Sequence, residues 1–352
     1  MRRVCRAGVL LIVAPLVAAA QNQTLEFTKL ADGVYAAIYS EFRMDPVEGN
    51  SLVVVGGDGV LVFDSGHSPH TARRIIGEIR KVTDRPVRYL VNSHWHDDHV
   101  FGNQAYTDAF PGIQVIAHTH TRTEMEERSI AGLKEYGVEY WTKMAERFEG
   151  QLAKGTRADG QPWTDAQKTR LREQARTVRE YLPKIPEQRI VLPNVTLDGS
   201  ATIHLGDREV RLVHAGSGNT PGDIAVYLPR EKILATGDLV VHPSPFAYGS
   251  EIAPWIDTLK RIRDLDAGII IPGHGPVMRD QAYVDLVIGL FESLWSQVTA
   301  AKKAGLTLDE TRKRIDVSSF RDRMCGDDNF RRAQFNDSIV RVAVERAYQA
   351  AP

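Results

Sequence analysis

The chain has 352 residues, of which 43% are hydrophobic and 25% are charged, so it has enough apolar sequence for one large core or two ordinary ones. Its 44 Lys and Arg residues nearly balance 45 Asp and Glu residues, and no basic stretch is interleaved with aromatic residues. This composition excludes a disordered chain and argues against a nucleic-acid partner. We therefore expect a globular protein that acts on a small molecule.

The first twenty residues have the three parts of a secretory signal peptide. Three arginines precede an apolar run at 9–17, and three alanines at 18–20 form a small-residue cleavage site. The apolar run is about half of the roughly 20 residues that a membrane span needs. We predict cleavage near Ala20 and a periplasmic or secreted bacterial protein that is not attached to the membrane in its mature form.

The two cysteines do not form a disulfide in this prediction. Cys5 lies in the signal peptide, which leaves Cys325 alone in the mature chain. No histidine neighbours Cys325 in the sequence, so a structural thiol is expected there rather than a nucleophile.

The first part of the mature chain alternates strands with a helix. Apolar runs broken by glycines predict strands and a β-hairpin, and apolar residues at helical spacing predict a helix after them. The predicted strands are 34–39, 51–55, 60–63, 87–91 and 113–117, and the predicted helix is 71–82. This alternation is typical of an α/β or mixed α+β layered fold.

Residues 121–182 are charged and favour helix, at 124–148 and 166–181, which predicts a helical insertion or a lid beside the site. Strands resume after it, and helices end the chain. The predicted strands are 201–205, 209–214, 224–228, 233–236 and 268–271, and the predicted helices are 255–265, 280–304 and 331–349. We expect one domain at 21–352, with a helical extension at 280–352 that covers the core or forms a dimer surface. The oligomeric state stays open.

Four residues that commonly bind metals fall within six positions directly after the strand predicted at 87–91. They are His94, His96, Asp98 and His99. Alternate residues of an extended segment point the same way, so the first two histidines can face one metal. Asp98 and His99 follow a turn and can face a second metal about 3.5 to 4 Å away. A solvated polar loop is a weaker explanation of this spacing than a metal site.

The sequence at 94–99, His-Trp-His-Asp-Asp-His, resembles the H-x-H-x-D-H signature of the metallo-β-lactamase superfamily. Supporting segments occur in the order found in that family: Val-Phe-Asp-Ser-Gly at 62–66, Gly-Asp at 237–238, and Ile-Pro-Gly-His-Gly at 271–275. The resemblance extends from about residue 28 to 280. It implies an αββα sandwich, in which two mixed sheets pack face to face between helical layers.

The resemblance also implies a set of ligands. His94 and His96 would bind a first metal, Asp238 would bridge to a second, and the remaining ligands of the second metal would be Asp98, His99 and His274. Imidazole and carboxylate ligands suit one or two Zn²⁺ ions, although iron or manganese is also possible. Asp64 would accept a hydrogen bond from a ligand histidine and orient it.

This chain departs from the family at one ligand. The family has a histidine in a G-x-G-H-T context, where this chain has Gly-Ser-Gly-Asn-Thr at 216–220, so Asn219 takes that position. A neutral amide oxygen is a weaker zinc donor than imidazole, and the first site should bind metal less tightly. The histidines that could act as a substitute ligand are His118, His120, His214 and His242.

The implied chemistry is hydrolysis by a metal-activated water, with Asp98 and Asp238 holding the water and passing its proton to the leaving group. A β-lactam is the leading substrate candidate for an exported protein of this family. However, residues 239–241 lack the lysine that often binds the β-lactam carboxylate.

Lactones, thioesters and other esters are therefore alternative substrates. A non-hydrolytic metal-binding relative and an iron oxidoreductase are alternatives of a different class. Trp95, His242 and Tyr248 are the residues predicted to contact the substrate, with Phe246 beside them.

Overall fold

The computed structural model describes residues 24–41, 47–135, 137–157 and 160–352. The predicted signal peptide at 1–20 lies outside these residues, so its cleavage and export stay predictions. Within the described ranges, every helix is too short or too polar to cross a bilayer.

The first sheet has seven strands that follow one another in chain order. Strands β1 to β4 pair antiparallel, and β4 to β7 pair parallel. The strands are β1 Leu25–Ala31, β2 Val34–Tyr39, β3 Ser51–Val55, β4 Val60–Phe63, β5 Val87–Val91, β6 Gln114–His118 and β7 Val195–Leu197. Helices α1 Pro69–Val82, α2 Asp97–Val100 and α3 Asn103–Ala109 connect β4, β5 and β6.

A helical segment separates β6 from β7. It contains α4 Thr119–Glu124, a π-helical turn Met125–Ser129, α5 Ile130–Glu135, α6 Val138–Lys154, α7 Asp165–Tyr181 and a 3₁₀ turn Leu182–Glu187. The single helix expected at 124–148 is wrong, because a π-helical turn interrupts it and α6 begins anew after Gly137. Thr164 and Gln167 form a reciprocal capping box that begins α7. The segment is helical, as expected, but its bounds at 121–182 stay a prediction.

The second sheet has five strands in the order β12-β11-β10-β9-β8, antiparallel except for the parallel pair β11 and β12. Its strands are β8 Ala201–Leu205, β9 Arg208–Val213, β10 Ala225–Leu228, β11 Ile233–Ala235 and β12 Ile269–Ile271. Helix α8 Ile252–Arg263 joins β11 to β12. The C-terminal part is α9 Ala282–Lys303, α10 Leu308–Arg314, α11 Ser318–Cys325, α12 Asn329–Phe335, a π-helical segment Asn336–Ala343 and α13 Val344–Ala350.

Three apolar clusters hold the layers together. Phe63 and Val91 of the first sheet pack against Val226 and Ile271 of the second, which makes the centre of the sandwich. Helices α1 and α3 cover the outer face of the first sheet. Helices α8 and α9, together with the C-terminal helices, cover the outer face of the second sheet around Trp255. The fold is an αββα sandwich, which confirms the expected architecture.

The sandwich brings the ends of four strands to one edge. Strands β4 and β5 are parallel neighbours in the first sheet, and β11 and β12 are parallel neighbours in the second. Asp64 follows β4, the histidine loop follows β5, Asp238 follows β11, and His274 follows β12. The carboxyl ends of parallel strands meet at the same edge, so segments far apart in sequence come together there.

Candidate metal centre

The loop after β5 presents two histidines to one point. His94 is fully buried, and its Nε2 lies 2.9 Å from Nδ1 of His96. His96 is the residue that precedes α2, so the chain turns there and places Asp98 and His99 on the first turn of that helix. The ring of His99 lies 4.4 Å from the ring of His94, measured between centroids. The residues of the signature therefore form two neighbouring pairs, His94 with His96 before α2 and Asp98 with His99 within it.

The two oxygens of Asp238 face different histidines. Oδ2 lies 3.7 Å from His94 Nε2, whereas Oδ1 lies 3.2 Å from His99 Nε2 and 3.4 Å from His274 Nε2. A carboxylate shared in this way can bridge two metal ions. Gly273 makes the close approach possible, because a Cβ at that position would lie 2.0 Å from Asp238 Oδ1.

Asp98 completes the second group of donors. Its Oδ2 lies 2.9 Å from His274 Nε2 and 3.3 Å from His99 Nε2. Among the described residues, the groups able to hold a metal are His94, His99 and Asp238, and then Asp98, His99 and His274. The two groups share His99 and contain five of the predicted ligands, whereas His96 belongs to neither group.

Asp64 orients His99 from behind. It is fully buried, and its Oδ2 accepts a hydrogen bond of 2.8 Å from His99 Nδ1. The backbone N–H of Ser93 donates to Oδ1 and the Ser93 hydroxyl donates to Oδ2, both at 2.7 Å. Because Nδ1 of His99 faces Asp64, its Nε2 faces Asp98 and Asp238, where it would bind a metal once its proton is released. The structure thus gives Asp64 the contact expected of an orienting residue.

The electrostatics of the cluster favour a cation. Burial lowers the pKa of His99, but the carboxylates of Asp98, Asp238 and Asp64 raise it more, so the net pKa lies well above the usual value. Burial and the neighbouring imidazoles lower the pKa of His94 well below the usual value. A neutral imidazole among buried carboxylates is the electrostatic setting of a metal ligand.

Asn219 is a buried residue whose side-chain amide contacts the loop after β11. Its Nδ2 donates a hydrogen bond of 2.5 Å to the backbone carbonyl of Phe246, and its Oδ1 is buried without a hydrogen-bond partner. A carbonyl oxygen only accepts, so the amide cannot be flipped and Oδ1 is the free end. The ring of Phe246 packs on that of His96 at 5.8 Å between centroids. Asn219 therefore contacts the same residue, Phe246, whose ring packs on His96.

Three buried polar atoms test whether these residues suit a metal. His99 Nε2, Asp238 Oδ1 and Asn219 Oδ1 all lack a hydrogen-bond partner. Leaving such atoms buried and unpaired costs about 1 to 3 kcal/mol each. The two oxygens have free lone pairs that a metal ion accepts, and the His99 nitrogen offers one when a metal displaces its proton. The donor set therefore fits a divalent metal.

A cavity of about 1130 Å³ is lined by four of the candidate donors, His96, Asp98, Asp238 and His274. Trp95, His242, Tyr248 and Phe246 also line it, and their contact with substrate stays a prediction. The helical insertion contributes six residues to the lining: Glu127, Arg128, Ala131, Gly132, Glu135 and Arg170. The C-terminal helices contribute six more: Asn329, Phe330, Ala333, Gln334, Asp337 and Ser338. Both added segments therefore form walls of the cavity.

The histidines considered as a substitute ligand have other contacts. His118 Nδ1 accepts from the His120 backbone N–H, and its ring stacks on those of His120 and His214. Nδ1 of His214 contacts the backbone carbonyl of Asp223. Within the described ranges, His118, His120 and His214 neither line the cavity nor join the metal-holding groups. His242 lines the cavity but is in neither group, and the role of these four histidines as a substitute ligand stays a prediction.

The structure adds polar residues that the sequence did not single out. Glu48 accepts hydrogen bonds from Thr71 and from the backbone N–H of His67, and burial raises its pKa to about 7. Nε2 of His67 contacts the hydroxyl of Tyr181, which ends α7. The contact with Tyr181 joins the insertion to the loop after β4. It links residues 114 positions apart, so a local sequence pattern cannot predict it.

The comparisons with known proteins agree with this geometry. A model of the metallo-β-lactamase superfamily matches residues 44–274. The chain belongs to the metallo-β-lactamase superfamily. It is 20% identical over 271 residues to the linear primary-alkylsulfatase of Pseudomonas sp. (strain ATCC 19151), covering 74% of this chain and 48% of that protein. It is 24% identical over 277 residues to the 2,4-dinitroanisole O-demethylase subunit alpha of Nocardioides sp. (strain JS1661), covering 77% and 63%.

Solved structures of this superfamily share the fold. A metallo-β-lactamase from Pontibacter korlensis superposes with a TM-score of 0.54 at 20% identity, covering 76% of this chain and 99% of that one. A metallo-β-lactamase from Hirschia baltica gives 0.52 at 15% identity, covering 76% and 97%. The chain spans about half to two thirds of the length of the curated relatives, so these likenesses establish the fold of a metallo-hydrolase rather than a particular substrate.

Proposed function

We propose that this superfamily member is a zinc-dependent hydrolase of small molecules that carry an ester or amide bond. The observation that carries the proposal is the division of Asp238 between two groups of donors at the base of the cavity. Two zinc ions would be held, the first by His94, His96 and Asn219 and the second by Asp98, His99 and His274. The first would bind more weakly because an amide replaces the usual imidazole.

A divalent metal held there supplies Lewis acidity and lowers the pKa of water toward about 7, so that water becomes a nucleophile near neutral pH. Asp98 and Asp238 both line the cavity, where their carboxylates hold the attacking water and accept its proton. The proton then passes to the leaving group as the carbon–oxygen or carbon–nitrogen bond breaks. Trp95 and Phe246 exclude bulk water from the apolar side of the substrate.

A β-lactam is the first substrate to test, because the solved structures that share the fold include metallo-β-lactamases. An ester with a large apolar group is the second. The cavity wall contains Trp95, Phe246, Phe330 and the prolines at 243 and 245, and its arginines, Arg128 and Arg170, both come from the insertion. One relative is named for alkyl sulfates, which combine an apolar chain with an ester, and this supports the second candidate.

The test is a substrate panel with purified mature protein. Nitrocefin, a lactone, p-nitrophenyl esters of increasing acyl length and dodecyl sulfate are assayed before and after chelation, and again after zinc is restored. Turnover that chelation abolishes, zinc restores and His94→Ala removes supports the proposal. His204→Ala is the matched control, because His204 is exposed on β8. Bound zinc with no turnover of any substrate contradicts a hydrolase and favours a binding or redox role.

We also propose that the protein is exported through its first twenty residues. Expressed with its natural N-terminus in a bacterial host, it should be recovered from the periplasm with a mature chain that begins at residue 21. Recovery of the intact chain from the cytoplasm would contradict this proposal.

A further inference from the structure

The C-terminal helices reach the first metal site through the loop that follows β11. Ser338, which is buried in the π-helical segment, contacts this loop on both sides of Phe246. Its hydroxyl donates a hydrogen bond of 2.7 Å to the carbonyl of Pro245 and accepts one of 2.9 Å from the backbone N–H of Ala247. A hydroxyl has one hydrogen and two lone pairs. The bond to Pro245 uses the hydrogen and the bond from Ala247 uses a lone pair, so the two bonds together fix the orientation of the hydroxyl.

A second contact fixes the same loop two residues further on. The hydroxyl of Tyr248 donates to Asp337, and Arg341 pairs with that carboxylate at 2.5 Å. Arg346 donates a hydrogen bond of 3.1 Å to the backbone carbonyl of Tyr248. The loop on either side of Phe246 is therefore attached to residues 337–346.

Phe246 passes this constraint to the metal site. Its carbonyl is the acceptor that holds Nδ2 of Asn219, which leaves Oδ1 of that amide buried and unpaired. Phe246 itself is 42% exposed, so packing of its side chain does not fix the position of its backbone. The hydrogen bonds to Ser338 are the direct restraints on the two peptide groups that flank it.

We infer that Ser338 is a positioning residue for the first metal site, which sets the direction of the Asn219 amide oxygen through the backbone of Phe246. The inference rests on the proposed role of Asn219 as a ligand. It assigns the C-terminal extension a function in metal binding as well as in covering the second sheet. A weak amide donor gains most from such a restraint, since it binds a metal only where its oxygen is already directed.

The test measures the affinity for each Zn²⁺ equivalent by competition with a chromophoric chelator, in the wild type and in three variants. Ser338→Ala should weaken one equivalent by about 10- to 100-fold and change the other by less than about threefold. Asn219→Ala should weaken the same equivalent. The double variant should be no weaker than Asn219→Ala alone, because Ser338 acts through Asn219.

Ser293→Ala is the matched control, since Ser293 lies in α9 of the same extension and its hydroxyl accepts a hydrogen bond from Gln297 one turn further along that helix. Both Zn²⁺ affinities should be unchanged in it. Urea unfolding of each metal-free variant measures any general loss of stability. If Ser338→Ala does not fold, Tyr248→Phe replaces it. This variant removes the hydroxyl that contacts Asp337 and Arg341, and it should weaken the same equivalent by a smaller factor.

The outcomes separate the inference from the proposed function. If Asn219→Ala weakens one equivalent but Ser338→Ala does not, or if their effects add, the inference is wrong and the ligand role of Asn219 stands. If Asn219→Ala leaves both affinities unchanged, Asn219 is not a ligand and the inference falls with it. A wild type that binds a single Zn²⁺ with no dependence on Asn219 has the same meaning.

Discussion

Asp64→Asn isolates the effect of one buried charge on the metal centre. The substitution keeps the shape of the side chain, and asparagine tolerates the left-handed backbone that Asp64 adopts at φ 60°. The carboxylate accepts three hydrogen bonds, from His99 Nδ1 at 2.8 Å and from the N–H and hydroxyl of Ser93 at 2.7 Å each. An amide has only one accepting oxygen, so one of these positions must take an NH₂ group.

The least costly orientation keeps the oxygen toward His99 and turns the NH₂ toward the backbone N–H of Ser93. Two buried donors then face each other, which costs about 1 to 3 kcal/mol. The bond to His99 also loses its ionic character, and with it about 1 kcal/mol. The metal-free protein should therefore lose about 2 to 4 kcal/mol in urea unfolding. The His99 imidazole becomes a weaker donor, so its Zn²⁺ should bind about 10- to 100-fold less tightly.

Chelator competition measures the Zn²⁺ affinity, and urea unfolding of the metal-free protein measures the stability separately. Asp58→Asn is the matched control, because Asp58 is exposed and pairs with the exposed Arg88. It should change neither quantity. A Zn²⁺ affinity in Asp64→Asn within about threefold of the wild type would refute the orienting role.

Three further results are expected. In the metal-free protein, the native Glu48 keeps its proton up to about pH 7, whereas the unfolded chain releases it near 4.5, so the free energy of unfolding should fall as pH rises between these values. Urea unfolding at pH 5 and 8 should show that Glu48→Gln removes up to about 3 kcal/mol of this fall. The same fall in the variant as in the wild type would contradict this. The guanidinium of Arg170 lies 4.6 Å from the centre of the Phe330 ring in the cavity wall, so Arg170→Ala should raise KM for apolar esters by about two- to fivefold. Arg172 is exposed on the same helix, and Arg172→Ala should leave KM unchanged. Equal effects of the two substitutions would contradict a role of Arg170 in the cavity. Cys325 is buried, and burial raises the pKa of its thiol, so a thiol reagent should label the mature chain only after unfolding. Prompt labelling of the native protein would contradict the burial of this thiol.

The sequence predicted those elements whose pattern is local. Strand Val87–Val91 has the expected bounds, and helix Pro69–Val82 begins two residues before its predicted start because Ser68 caps it. Strand Leu25–Ala31 was missed because it lies at the sheet edge with no fully buried residue. The short helices Leu308–Arg314 and Ser318–Cys325 were missed as well, since seven or eight residues carry little periodic signal.

The clustering of the candidate donors could be predicted because most of them lie in one hexapeptide at 94–99. The contacts that complete the site could not. The link from Asn219 to Phe246 spans 27 residues and the link from Pro245 to Ser338 spans 93, and neither forms part of a periodic pattern. Proximity in sequence suggested His214 as a substitute for Asn219, but its ring nitrogen contacts a backbone carbonyl instead. Tertiary packing alone determines these choices.

Zinc content per chain tests the central claim most directly. Elemental analysis of the mature protein, loaded with Zn²⁺ and freed of excess, should give two ions for the wild type and for His204→Ala. His94→Ala and His274→Ala should each retain about one, because each removes a donor from a different group. If both variants keep the full zinc content of the wild type, the two groups of donors are not the metal site and the account is wrong.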